Sequence, residues 1–168
     1  MFLIMGLRLL LIALFSALFS MQAAAQGASV AFGTIAQDTS LPVEVSSDEL
    51  AVDQETGTAI FTGNVVIGQG EMRLSAQRVL VVYRATADGI AKLEATGGVT
   101  LVSGPDAAEA QRADYSIDDG TIVMSGNVLL AQGTSALSAD TMTIRLEDGT
   151  ARMSGNVRTS LQTGSKNE

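Results

Sequence analysis

The sequence predicts an all-β fold, a creased antiparallel sheet of about twelve strands drawn from four repeated units. Three observations carry this. A short glycine motif recurs four times, as Phe61-Thr62-Gly63-Asn64-Val65, Ala95-Thr96-Gly97-Gly98-Val99, Met124-Ser125-Gly126-Asn127-Val128 and Met153-Ser154-Gly155-Asn156-Val157, its glycines spaced 34, 29 and 29 residues apart. Apolar residues around each motif alternate with period two, and no segment sustains a 3.6-residue period. Acidic residues followed by glycine divide each unit, at Asp53 to Gly57, Asp88-Gly89, Asp118-Asp119-Gly120 and Glu147-Asp148-Gly149, a composition suited to hairpin turns with positive φ.

The chain opens on an apolar segment. Leu9 to Phe19 follow Arg8 and precede Ala23-Ala24-Ala25, so residues 1–25 resemble a secretory signal peptide cleaved before Gln26. That run is 11 residues, short of the about 20 that cross a bilayer as a helix. The cleaved product is expected to be exported. Residues 26–40 mix small and polar types without a period and are expected to be a flexible segment; residues 162–168 are expected to be a disordered tail. The folded domain is then 41–161.

Within the four units, each glycine motif is preceded by a polar lead-in: Ser46-Ser47-Asp48, Ser75-Ala76-Gln77, Glu109-Ala110-Gln111 and Ser138-Ala139-Asp140. Apolar alternation follows each, at Leu50 and Val52, at Val79, Val81 and Tyr83, at Ala113, Tyr115 and Ile117, and at Met142, Ile144 and Leu146. Beyond the turn, Phe61, Gly63, Val65 and Ile67 share one parity, as do Leu93, Gly97, Val99 and Leu101, then Ile122, Met124, Val128 and Leu130, then Met153 and Val157. The opposite parity carries Thr62, Asn64, Lys92, Glu94, Ser125, Asn127, Arg152 and Arg158. One face is therefore apolar and the other wet, as in an antiparallel sheet covered on one side. A Gly-Asn hairpin loop would bring Met153 and Arg158 to one face, so the strands are expected to run through Gly63, Gly97, Gly126 and Gly155 as strand bends. Four bends in register crease the sheet and fold its apolar face inward.

Composition excludes several functions. Of the 168 residues none is histidine, cysteine or tryptophan, which removes zinc sites of the usual ligation, cysteine nucleophiles, Ser-His-Asp triads and disulfides. No metal or cofactor is expected. Removing residues 1–25 takes away only Arg8, leaving 9 basic against 18 acidic residues and a net charge of −9. Nucleic acid is not an expected partner, because its backbone demands clustered Lys and Arg. The carboxylates Asp118, Asp119, Glu147 and Asp148 lie in turns, where solvation explains them without catalysis.

These features together resemble the OstA-like family of lipopolysaccharide-transport periplasmic proteins. The residues that carry the resemblance are Leu41-Pro42-Val43-Glu44-Val45-Ser46-Ser47-Asp48, Thr62-Gly63-Asn64-Val65 with Gln69-Gly70 beyond it, and Ser75-Ala76-Gln77. The resemblance implies a V-shaped, open-ended β-jelly roll whose ends stack head to tail, carrying lipopolysaccharide between inner-membrane and outer-membrane transport components. In that case the apolar face lines a lipid groove of Leu50, Val52, Phe61, Val65, Ile67, Val79, Val81, Tyr83, Val99, Leu101, Tyr115, Ile122, Met124, Val128, Leu130, Met142 and Ile144. The same residues equally form a dry sandwich core, and the sequence leaves the two open. Docking edges for homologous sheets or for copies of the chain are expected at Val43 to Val52 and at Arg152 to Leu161. A membrane-anchored member of the same apparatus and a ligand-free β-solenoid are the alternatives.

Overall fold

A computed structural model describes residues 27–32, 38–86 and 89–161; the expected signal peptide and tail lie outside these. The described residues contain eleven strands and no helix: β1 (Ala28–Ala31), β2 (Glu44–Ser46), β3 (Glu49–Asp53), β4 (Thr58–Gln69), β5 (Met72–Tyr83), β6 (Ile90–Ser103), β7 (Asp106–Ser116), β8 (Thr121–Gln132), β9 (Ser135–Arg145), β10 (Thr150–Ser154) and β11 (Arg158–Leu161). All belong to one open antiparallel sheet in the order β1-β10-β9-β8-β7-β6-β5-β4-β2, with β3 beside β4 and β11 beside β9. The long strands pair with their chain neighbours through tight turns, so each central unit is one hairpin of two long strands rather than three shorter ones.

The crease is a line of β-bulges. Thr62 pairs with Arg78 and Val65 with Ala76, so Gly63 and Asn64 together oppose Gln77. Gly97 and Gly98 oppose Gln111, and Gly126 and Asn127 oppose Asp140, in the same way. The bulge residues are left-handed: Gly63, Gly97, Gly126 and Gly155 have φ of 78°, 87°, 85° and 75°, and Asn64, Asn127 and Asn156 have 45°, 50° and 48°. Asparagine tolerates this region better than other non-glycine residues, which accounts for the recurring Gly-Asn pair. Asp48 faces Gly63, Gln77 faces Gly97, Gln111 faces Gly126 and Asp140 faces Gly155, each leaving no room for a Cβ. At the two ends the seam is tied by side chains, with Asn64 Nδ2 donating to Asp48 at 2.8 Å and Asn156 Nδ2 to Asp140 at 2.8 Å. The lead-ins and the glycine motifs are thus two sides of one seam.

This seam divides the sheet into two arms. The first arm runs from the bulges to the acidic-glycine turns and the second to the turns at Gly70, Gly104 and Gly133. Their apolar faces meet inside, where Val79, Val81, Leu101, Ile122, Met124, Leu130, Met142 and Ile144 are fully buried. The glycine strands keep their inward parity through the bulge, because its two residues fill one inward and one outward place in the alternation. The return strands do not. In β5 inward residues change from Val79 and Val81 to Ala76, Leu74 and Met72, with Gln77 and Arg78 both outward; β7 and β9 slip likewise.

One expectation is corrected. Residues 26–40, read as flexible, contain β1, which pairs with β10 from Ala28 opposite Met153 to Ala31 opposite Thr150. Its alternation of Ala28, Val30 and Phe32 is short but real, and Phe32 is buried at 3% exposure. Consequently the edge expected to be free is already paired by β1 at Arg152 and Met153, whereas β11 pairs with β9 on one side only among the described residues.

Candidate functional site: an apolar interior with one exposed end

Register across the first arm builds two continuous inward rows. One runs Val52, Ala59, Val81, Leu93, Tyr115, Ile122, Ile144, Ala151 and Val30; the other runs Leu50, Phe61, Val79, Ala95, Ala113, Met124, Met142, Met153 and Ala28. Exposure along them is graded. Val52 and Leu50 at the β3 edge are 62% and 56% exposed, Phe61 is partly buried, and from Val81 and Val79 to Ala151 and Met153 both rows are closed to solvent. The second arm adds Val45, Ile67, Leu74, Leu101, Ala108, Leu130 and Leu137 as an opposing row.

The seventeen residues named from the sequence as a groove fall into three groups. Val65, Ile67, Val79, Val81, Val99, Leu101, Tyr115, Ile122, Met124, Val128, Leu130, Met142 and Ile144 are buried against one another; Phe61 is intermediate; Leu50, Val52 and Tyr83 are exposed. The arms therefore touch along most of their length, and the apolar surface available to a guest without movement lies at the β3 end. Sequence reasoning did not name the buried Met72, Leu74 and Leu137 of the second arm. They precede the phase slip, and the signal for it is the adjacent outward pair in each return strand, as at Gln77-Arg78.

The interior is not wholly apolar at its mouth, the side far from the crease where the turns of both arms approach. Gln69, at the end of β4, is 2% exposed and accepts at Oε1 from the Tyr115 hydroxyl at 2.7 Å, joining the second arm to the first. Burial raises the Tyr115 phenol above its ordinary pKa, a push that the bond to Gln69 partly opposes. The outer face is polar by contrast. Lys92, Glu94, Arg112 and Asp114 form a ladder across β6 and β7, with Lys92 to Glu94 at 2.8 Å, Arg112 to Glu94 at 2.9 Å and Arg112 to Asp114 at 2.7 Å. Hydrogen bonds from Lys92 and Arg112 hold Glu94 below the usual carboxylate range, and those from Arg112 do the same for Asp114. Among the described residues no group of three or more acidic side chains could hold a metal ion. What the arrangement offers chemically is a hydrocarbon-compatible interior beneath a charged exterior.

Comparison with known proteins agrees with this architecture. The family model described as LptA/(LptD N-terminal domain) LPS transport protein matches residues 44–150 and 118–160. An uncharacterised protein of Rhizobium meliloti is 30% identical over 90 residues, 49% of this chain and 48% of that protein. The lipopolysaccharide export system protein LptA of Escherichia coli is 33% identical over 54 residues, 32% of this chain and 29% of that protein. The matches thus span about half of one curated relative and under a third of the other. The crystal structure of LptH, the LptA homologous periplasmic component of the lipopolysaccharide transport device of Pseudomonas aeruginosa, superposes with a TM-score of 0.60 at 18% identity, covering 77% of this chain and 90% of that one. A family match across more than half of the chain, on a sheet creased by its own repeated bulges, places it in the LptA/(LptD N-terminal domain) family of LPS transport proteins.

Proposed function

We propose that this chain is a periplasmic carrier that holds the acyl chains of lipopolysaccharide between its two arms by non-covalent contact and passes them toward the outer membrane. The observation that supports the reading most is the pair of unbroken apolar rows, exposed at Leu50 and Val52 and continuous to Met153. Each methylene removed from water contributes about 0.8 kcal/mol, so a chain of a dozen carbons gains roughly 10 kcal/mol. That gain offsets the separation of arms whose mutual contacts are replaced by equally apolar ones. Met124, Met142 and Met153, unbranched and adaptable, line one row where such replacement is easiest. Phosphates and sugars stay outside with the polar face.

Head-to-tail association belongs to the same reading. The outer edges of β2 and β3 carry no strand partner among the described residues, and neither does that of β11, so each end can accept a strand from a homologous sheet or a second copy. The test is photocrosslinking to radiolabelled lipopolysaccharide from a photoreactive residue at Phe61, Tyr115 or Leu130, with outward Thr62 and Ser125 as controls. Crosslinks from the inward positions alone are expected. Equal or stronger labelling at Thr62 and Ser125 excludes the interior as the binding site.

A further inference from the structure

The N-terminal stretch ties the two arms together at the mouth, at two places built alike. Thr39 lies against the first arm's Gly120 turn, its methyl 3.6 Å from where a Cβ on Gly120 would stand. The second arm's Gln69 donates from Nε2 to the carbonyls of Thr39 at 3.1 Å and Leu41 at 2.9 Å. Nearer the start, the Phe32 amide donates to the first arm's Gly149 carbonyl at 2.8 Å, while the second arm's Gln132 donates from Nε2 to the Ala31 carbonyl at 2.6 Å. Gln69 and Gln132 hold equivalent repeat positions, each six residues beyond its bulge glycine and last in its strand. Both close their amide contacts with a second partner, Tyr115 for Gln69 and Asp106 for Gln132.

The two tie points differ in strength. Phe32 buries an aromatic ring, whereas Asp38 through Pro42 are all exposed, Leu41 at 42%, so this stretch is held by hydrogen bonds and little apolar contact. Elements of that kind open at low free energy while the body stays folded.

We propose that Thr39–Leu41 is a gate over the mouth, fastened by Gln69, and that acyl chains enter the interior sideways when it lifts. The inference rests on the lipid reading above and adds the route. Entry solely by threading from the β3 end requires a chain to pass along a closed interior; entry through the mouth begins when a polar stretch gives up the two hydrogen bonds that its Thr39 and Leu41 carbonyls accept from one glutamine. The mouth also lets phosphates and sugars remain in water throughout.

The experiment uses the mature chain, which has no cysteine of its own. The Thr39→Cys/Gly120→Cys variant, oxidised, fastens the stretch to the first arm; reduction releases it. Uptake of lipopolysaccharide carrying a fluorophore on one acyl chain is followed by stopped flow. Uptake about tenfold slower in the oxidised than in the reduced protein is expected, and Gln69→Leu is expected to accelerate it about fivefold by removing the fastening. Hydrogen exchange at residues 39–41 in Gln69→Leu supplies a readout independent of lipid: faster exchange there, with the sheet unchanged, is expected. Equal uptake by oxidised and reduced protein, or unaltered rates and exchange in Gln69→Leu, overturns the gate and leaves lipid binding standing. Absence of uptake by every form overturns the lipid reading and the gate with it.

Discussion

Gly97 and Gly98 adjoin in one bulge with nearly the same φ, 87° and 85°, yet their surroundings differ. A Cβ on Gly97 would stand 2.8 Å from Gln77 Cβ, whereas a Cβ on Gly98 meets nothing within 4 Å. Both substitutions force an L-residue into the left-handed region, which costs about 1–2 kcal/mol, and only Gly97→Ala adds a steric conflict with a neighbouring strand. Gly98→Ala is therefore expected to lower unfolding free energy by about 1 kcal/mol and Gly97→Ala by about 3 kcal/mol, measured by urea titration with unchanged m-value. Equal losses would show that the crease is set by backbone angle alone and that Gln77 yields freely. The chain places Gly98 where three other units have asparagine, and its open surroundings explain why either residue serves there.

At the scale of strands, the glycine strands were legible in advance because the two residues of each bulge continue the alternation, from Phe61 to Ile67 and from Met124 to Leu130. The return strands were legible only beyond the seam. Their phase depends on how many residues oppose each bulge, a property of the pairing and not of either strand alone, so Met72, Leu74 and Leu137 were missed while Val79 and Met142 were found. β1 escaped for a different reason: four residues of small type give almost no periodic signal, and its strand partner lies 119 residues or more away in sequence. The apolar face was readable as a face, but whether its two halves touch is decided by the fold angle at the crease. On the outer face, the ladder of Lys92, Glu94, Arg112 and Asp114 links β6 to β7 across the register Glu94 opposite Asp114. Without the basic partners these two carboxylates would repel across the pair. Glu94 and Asp114 have folded pKa values depressed below their unfolded ones, so their contribution is present above the unfolded carboxylate range and is lost as pH falls through the folded values. The stability difference between the parent and Arg112→Met should accordingly be largest near pH ~7 and shrink below pH ~4, read from denaturant midpoints across that range. A difference that persists unchanged in acid would assign the role of Arg112 to packing of its aliphatic stem.

For the molecule as a whole, charge and apolar surface are segregated. The two inward rows contain no ionisable group other than the Tyr115 phenol, and the ion pairs lie on the outer face or in turns, as with Arg84 and Asp118 or Arg145 and Asp148. Without residues 1–25 the net charge is −9, which repels phosphate-bearing headgroups at long range, so under the proposed lipid reading the attraction comes from hydrocarbon contact. Counterions shorten the reach of that repulsion to about 10 Å at 0.1 M ionic strength and leave hydrocarbon burial almost untouched. Raising sodium chloride from about 50 mM to about 500 mM should then leave lipopolysaccharide affinity within about twofold, with any drift toward tighter binding, because screening weakens only a repulsion. The measurement is a titration of fluorophore-labelled lipopolysaccharide at fixed pH, repeated below its aggregation threshold at each salt concentration. A fall of tenfold or more would mean that cationic side chains grip the phosphates, and the two apolar rows would no longer be the principal source of binding.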